Sequence, residues 1–266
     1  MKKRILSAII MMAIFIPLLI VGGKPFVLLM CILALGSLYE LLRIGSSQNS
    51  FPAFMKICSY LVLLFICTRN IDSLDFNYNL DYKMITVIIF LFLCPLVFYN
   101  NNKKYNITDG LYLIGGVLFL GLSFNLLIIA RNYDLYRIVY LLLISTITDT
   151  FAYITGNLVG RHKLAPKISP NKTIEGFIGG TIMGVIVATS FYHVFINSSV
   201  SLTLLILITI ALSIVGQIGD LVFSMIKRYY DKKDFSNLIP GHGGILDRFD
   251  SIIFVALAFI LVSGIL

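Results

Sequence analysis

Nine apolar runs separated by short polar breaks divide this chain, and a soluble fold has no use for such a pattern. They extend from about Ile5 to Gly23, Pro25 to Ile44, Phe54 to Thr68, Met84 to Tyr99, Thr108 to Ala130, Leu135 to Asn157, Ile174 to Asn197, Ser201 to Ser224 and Ile245 to Leu266. A helix needs about 20 mostly apolar residues to cross a hydrocarbon layer of about 30 Å, a length most of these runs approach. Composition agrees, since 58% of the 266 residues are hydrophobic and only 13% charged, with a mean hydropathy of +0.94. One soluble core could not bury that much apolar surface. The expected fold class is therefore all-α, a polytopic transmembrane bundle of about nine helices in a lipid bilayer. Two parts are expected: amino-terminal helices over 1–134, and a carboxy-terminal part over 135–266 that carries polar loops at 160–173 and 227–244.

Lys2-Lys3-Arg4 before the first run also suits a signal peptide. No small-x-small cleavage site follows and a second span begins at once, so a retained helix is expected. Orientation follows from the basic residues. With the amino terminus in the cytoplasm, the inner side receives Lys2, Lys3, Arg4, Arg43, Lys56, Lys103, Lys104, Arg161, Lys163, Lys167, Lys172, Lys227, Arg228, Lys232, Lys233 and Arg248, 16 of the 21. Lys24, Arg69, Lys83, Arg131 and Arg137 fall outside. Both long polar loops then face the cytoplasm. The net charge of +8 fits anionic lipid and an anionic substrate; no aromatic-basic module points to nucleic acid. Cys31, Cys58, Cys67 and Cys94 lie in or beside apolar runs without metal or disulfide spacing, and read as small hydrophobes.

Ionisable groups inside spans are costly and mark candidate sites unless they snorkel from helix ends. Glu40 and Arg43, near the inner end of the second helix, and His193, near the outer end of the seventh, read as structural. Asp149 differs, because Tyr153, Gly156 and Gly160 continue one face of the sixth helix toward the cytoplasm. On the eighth helix Gln217, Asp220, Ser224 and Lys227 form another polar face, with Asp220 near the inner membrane boundary. Asp247 and Asp250 open the ninth helix at the same depth. Carboxylates meeting there require a cation, and all-oxygen donors suit Mg²⁺, with one ion or two left open. Gly243 and Gly244 are expected to leave the backbone N–H groups at that helix start available to phosphate. Ser169 and Pro170 read as N-cap and first position of the seventh helix, with Lys172 beside a second anion site. Gly176, Gly180 and Gly184 form a small-residue stripe expected to serve close packing.

The stretch from Ser224 to Asp250 resembles the signature of the phosphatidate cytidylyltransferase (CDP-diacylglycerol synthase) family. The residues that carry it are Ser224, Lys227, Arg228, Lys233, Asp234, Pro240, His242, Gly243, Gly244, Asp247, Arg248 and Asp250. Ser169 to Gly176 is similar to a second element of that family, with Asn171 in place of a usual Lys and Ile174 in place of a usual Trp. Asp149, Tyr153, Gly156 and Gly160 match its Asp-bearing helix. The resemblance implies transfer of a cytidylyl group from CTP to phosphatidic acid for phospholipid biosynthesis, in the cell (inner) membrane of a bacterium, by a homodimer. It implies catalytic roles for Asp220, Lys227, Arg228, His242 and Asp247. Substrate contacts are implied for Tyr153, Ser169, Lys172, Thr173, Glu175, Ser224, Lys233, Asp234, Gly243, Gly244 and Arg248. Asp220 and Asp247 would be the first metal ligands, with Asp149 and Asp250 in support. No GxxxxGK[ST] loop is present, so the nucleotide needs another cradle. A CTP-dependent lipid kinase and an ion-coupled transporter are the rival readings; the first would release CDP, and the second leaves Lys227 to Asp250 unexplained.

Overall fold

A computed structural model describes residues 2–45, 51–71, 82–99 and 105–264. Lys103 and Lys104 lie outside the described residues, as do the side chains of Lys2, Lys3 and Arg4. The described residues form nine helices: α1 (Lys2–Val21), α2 (Gly23–Gly45), α3 (Ala53–Cys67), α4 (Tyr82–Tyr99), α5 (Ile107–Tyr133), α6 (Leu135–Val159), α7 (Ile174–Phe195), α8 (Leu202–Tyr229) and α9 (Leu246–Val262). Six of them, α2 and α4 to α8, are long and apolar enough to cross a membrane. Large apolar side chains along α2, α4, α6, α7 and α8 are exposed, as a lipid-facing surface requires, whereas α5 is mostly buried. Helix α4 is interrupted at Cys94, ahead of Pro95, whose missing N–H breaks the ladder.

Two compact units emerge. The first comprises 1–129 together with 234–246, the second 130–233 together with 247–266. Segment 234–246, grouped by sequence with the carboxy-terminal half, thus belongs with the amino-terminal helices.

Within the first unit, buried polar side chains satisfy backbone groups that helix ends and breaks leave open, a necessity where no water reaches. Asn125 of α5, fully buried, donates to the carbonyls of Cys67 and Arg69 at the end of α3, at 2.9 and 2.7 Å. Tyr105 donates to the carbonyl of Phe92 beside the α4 break, at 2.8 Å, and Tyr112 to that of Leu41, at 2.7 Å.

The second unit is built on close approach of α6 and α7. A Cβ on Gly176 would lie 2.6 Å from the Ala152 carbonyl, and one on Gly180 2.5 Å from that of Thr148. The glycine stripe packs against α6 of the same chain, so it is consumed by helix packing as its spacing predicts. Hydroxyl and amide pairs bridge the other helices: Tyr140 to Thr209 at 2.8 Å, Thr148 to Ser213 at 2.9 Å, and Gln217 to Thr181 at 2.9 Å.

The loop before α7 departs from expectation. Ser169 and Pro170 do not start the helix; Ser169–Thr173 is a strand, β2, antiparallel to β1 (Lys163–Ala165), with Lys163 opposite Thr173 and Ala165 opposite Ser169. The cap is Thr173, whose hydroxyl accepts from the Gly176 N–H at 3.1 Å. Pairing with β1 holds residues 169–173 extended, so the helix can begin only where that pairing ends.

Candidate active site

In the second unit a cavity of about 600 Å³ opens among α6, α7, α8 and the β-hairpin. Asp149, Tyr153, Gly156 and Gly160 line it from α6 and its C-cap, Gln217 and Asp220 from α8, Lys163 from β1 and Lys172 from β2. Lys172 Nζ meets Asp220 Oδ2 at 2.6 Å, and Ser224 Oγ reaches Asp220 Oδ1 at 3.4 Å, one turn along α8. Tyr153 is 73% exposed at the cavity wall. Thr173 contributes at the floor, where its hydroxyl both caps α7 and packs against Gly156 and Gly160.

Helix α8 continues past Ser224, where the apolar run ends, to Tyr229, so that Lys227 and Arg228 are fixed on its last turn. Lys227 Nζ lies 2.6 Å from Asp247 Oδ1, with side chains only 11% and 5% exposed. Arg228 donates to the carbonyls of Ile168 and Lys232, at 3.3 and 3.0 Å, fastening the hairpin turn and the end of α8. Asp250, one turn beyond Asp247 on α9, is within electrostatic range of both Asp149 and Asp220. Arg248 and Lys233 are exposed.

Glu175, expected to touch substrate, fastens the approach to the hairpin. Its carboxylate accepts from the backbone N–H groups of Arg161 and His162 and pairs with His162 Nδ1 at 2.6 Å. Ser169 sits on β2 opposite Ala165, away from any helix start.

Asp234 to Leu246 belong to the first unit. Ile239 to His242 form a tight turn in which the His242 N–H donates to the Ile239 carbonyl at 3.0 Å. Pro240 and Gly241 occupy its central positions, with φ of 79° at Gly241, the geometry of a type II turn. His242 Nδ1 is 2.8 Å from the hydroxyl of Ser7 on α1. Asp234 is exposed. The start of α9 needs a correction: the N–H groups of Ile245 and Leu246, which the sequence suggests for phosphate, donate to Glu40 at 2.8 Å each. Glu40 itself is fully buried.

A metal suits the charges of the second unit. Asp149, Asp220, Asp247 and Asp250 bring four carboxylates, and Lys172 and Lys227 neutralise two of them. The net negative charge of this set as a whole and its all-oxygen donors fit a divalent hard cation. Among the described residues no three acidic, histidine or cysteine side chains are poised around one point, so substrate oxygens or water would have to complete any coordination shell.

A family model described as "Cytidylyltransferase family" matches residues 2–266. The chain belongs to the cytidylyltransferase family. Similar proteins include those of Staphylococcus haemolyticus (40% identical over 256 residues, 96% of each chain) and Staphylococcus saprophyticus (40% over 255 residues, 96% of each chain). That of Bacillus subtilis is 36% identical over 259 residues, 96% of this chain and 94% of the relative. All three carry the name phosphatidate cytidylyltransferase. The similarity spans almost the whole chain, whereas the motifs legible in sequence cover little beyond its second half.

Proposed function

We propose that this protein is a phosphatidate cytidylyltransferase, an integral membrane enzyme that transfers a cytidylyl group from CTP to phosphatidic acid and yields CDP-diacylglycerol and pyrophosphate. The observation that carries this reading is the cavity lined by Lys163, Lys172, Asp149 and Asp220 in a bundle whose outer surface suits lipid. Such a cavity admits a water-soluble polyanion beside a membrane-embedded one. A phosphate oxygen of phosphatidic acid attacks the α-phosphorus of CTP. The bond from that phosphorus to the oxygen bridging to the β-phosphate breaks, and pyrophosphate departs with the electron pair. The attacking group is already an anion, so little base catalysis is required; alignment and charge neutralisation supply the rate. Lys163 and Lys172 hold phosphate oxygens, and Lys227 keeps Asp247 oriented. Asp220 and Asp247 are the first choice to hold Mg²⁺, with Asp149 and Asp250 in support. When bound, the ion would offset charge on the nucleotide phosphates.

The excess of Lys and Arg in loops of one side supports a cytoplasmic amino terminus and an active site facing the cytoplasm, in the cell membrane of a bacterium. The homodimer rests on family resemblance; the α7 glycine stripe is occupied by α6, so the dimer would use another face. Light scattering of the detergent-solubilised protein tests it.

Purified protein in liposomes, given CTP, phosphatidic acid and Mg²⁺, should release pyrophosphate and form CDP-diacylglycerol, whereas Asp220→Asn should not. Release of CDP with a phosphorylated lipid product would refute cytidylyl transfer. Full activity of Asp220→Asn would refute the site.

A further inference from the structure

We propose that Glu40 is a positioning residue for this reaction, acting through the start of α9, an inference that rests on the function proposed above. Glu40 is 0% exposed on α2, yet its carboxylate gathers three donors from a distant part of the chain. The Ser236 hydroxyl and the N–H groups of Ile245 and Leu246 all donate to it. A carboxylate removed from water is costly unless each oxygen is hydrogen-bonded, and here both are. The positive end of the α9 dipole adds compensation.

These bonds come from the two ends of one segment. Ser236 enters it and Leu246 leaves it, so a single side chain closes the base of the loop that bears the Pro-Gly-His-Gly-Gly sequence. Gly244 is fitted to the same carboxylate: a Cβ there would lie 2.5 to 2.7 Å from Oε1, Cδ and Oε2 of Glu40. That glycine keeps space for Glu40. Asp247 follows Leu246 directly in the chain, so fixing the Leu246 N–H fixes the first turn of α9, from which Asp247 meets Lys227. Misplacement of a reacting constellation by about 1 Å can cost on the order of a hundredfold in rate.

The test compares wild type, Glu40→Ala, Gly244→Ala and the double variant in liposomes, with kcat and KM for CTP measured separately. Each single variant should lose about tenfold or more in kcat, with KM for CTP within about twofold, because both substitutions act through the start of α9 rather than on the nucleotide. Gly244→Ala should cost nothing further in the Glu40→Ala background, since the group its methyl would strike is gone. Limited trypsin cleavage after Arg248 should accelerate in Glu40→Ala, a readout independent of turnover. Should the alanine variant fail to fold, Glu40→Gln keeps the volume and one acceptor oxygen, and the same kcat-selective loss is expected. Unchanged kcat in Glu40→Ala, losses that simply multiply in the double variant, or a defect confined to KM would overturn the inference. A wild type that forms no CDP-diacylglycerol would refute the functional reading and this inference together; an active wild type beside an unaffected Glu40→Ala refutes this one alone.

Discussion

Removing one partner of the Lys227–Asp247 pair should cost more stability than removing both. At 2.6 Å, two unit charges in a medium of effective dielectric constant near 20 attract by about 6 kcal/mol. Part of that offsets the desolvation of two side chains that are almost wholly buried. Lys227→Met or Asp247→Asn alone leaves the surviving charge buried without this partner, at about 3–5 kcal/mol. For a chain of this size each kcal/mol lowers Tm by about 2–4 °C, so either single variant should melt roughly 6–20 °C below wild type. The double variant Lys227→Met/Asp247→Asn removes both charges and should recover most of the loss. Activity should not return with it, because the proposed chemistry uses both side chains. Thermal unfolding in detergent, paired with pyrophosphate release, reads the two effects separately. Losses in Tm that add in the double variant would show that the pair is not a buried, mutually compensating one, and would refute the reasoning.

Chelation by EDTA should abolish turnover and Mg²⁺ should restore it, with Asp250→Asn, which alters a supporting ligand, needing a higher Mg²⁺ concentration; a titration of rate against Mg²⁺ checks this. Gly180→Val should destabilise by about 1–3 kcal/mol, since the new side chain meets the Thr148 carbonyl, which is backbone and cannot swing aside. Gly115→Ala, with nothing within 4 Å, is the matched control and should melt like wild type. Tyr140→Phe forfeits the hydroxyl contact with Thr209 and should cost about 0.5–1.5 kcal/mol in thermal unfolding.

The helices were legible because lipid leaves the chain few alternatives: apolar length alone announces a span. Asp149, Asp220 and Lys172 were legible as polar residues in or beside apolar runs, and all three line the same cavity. The β-hairpin was not, because Ser169 and Pro170 satisfy the local rules for a helix start and only pairing with Lys163–Ala165 decides otherwise. Lys163 lay in plain view in the sequence but carried no signal beyond membrane sidedness; its place in the cavity depends on that same pairing. Glu40 read as a helix-end residue within reach of water, since its partners lie about two hundred positions away and no periodicity reports contacts at that distance. Gly243 and Gly244 suggested a phosphate cradle for the same reason. Sequence displays the glycines, and only the fold reveals that the neighbouring N–H groups are already taken.

The separation between Glu40 and its donors also has a temporal meaning. Ser236, Ile245 and Leu246 follow it by 196, 205 and 206 residues. At a synthesis rate of about 5–20 residues per second, α2 leaves the ribosome roughly 10–40 seconds before the residues that hydrogen-bond its carboxylate exist. Throughout that interval the nascent chain carries an acidic group whose final burial has no counterpart yet. The amino-terminal unit therefore cannot mature in order of synthesis; it closes only when one of the last segments to emerge returns to it. Chains released before residue 236 should consequently be recognised as unfinished by membrane quality control, even with α1 to α8 already translated.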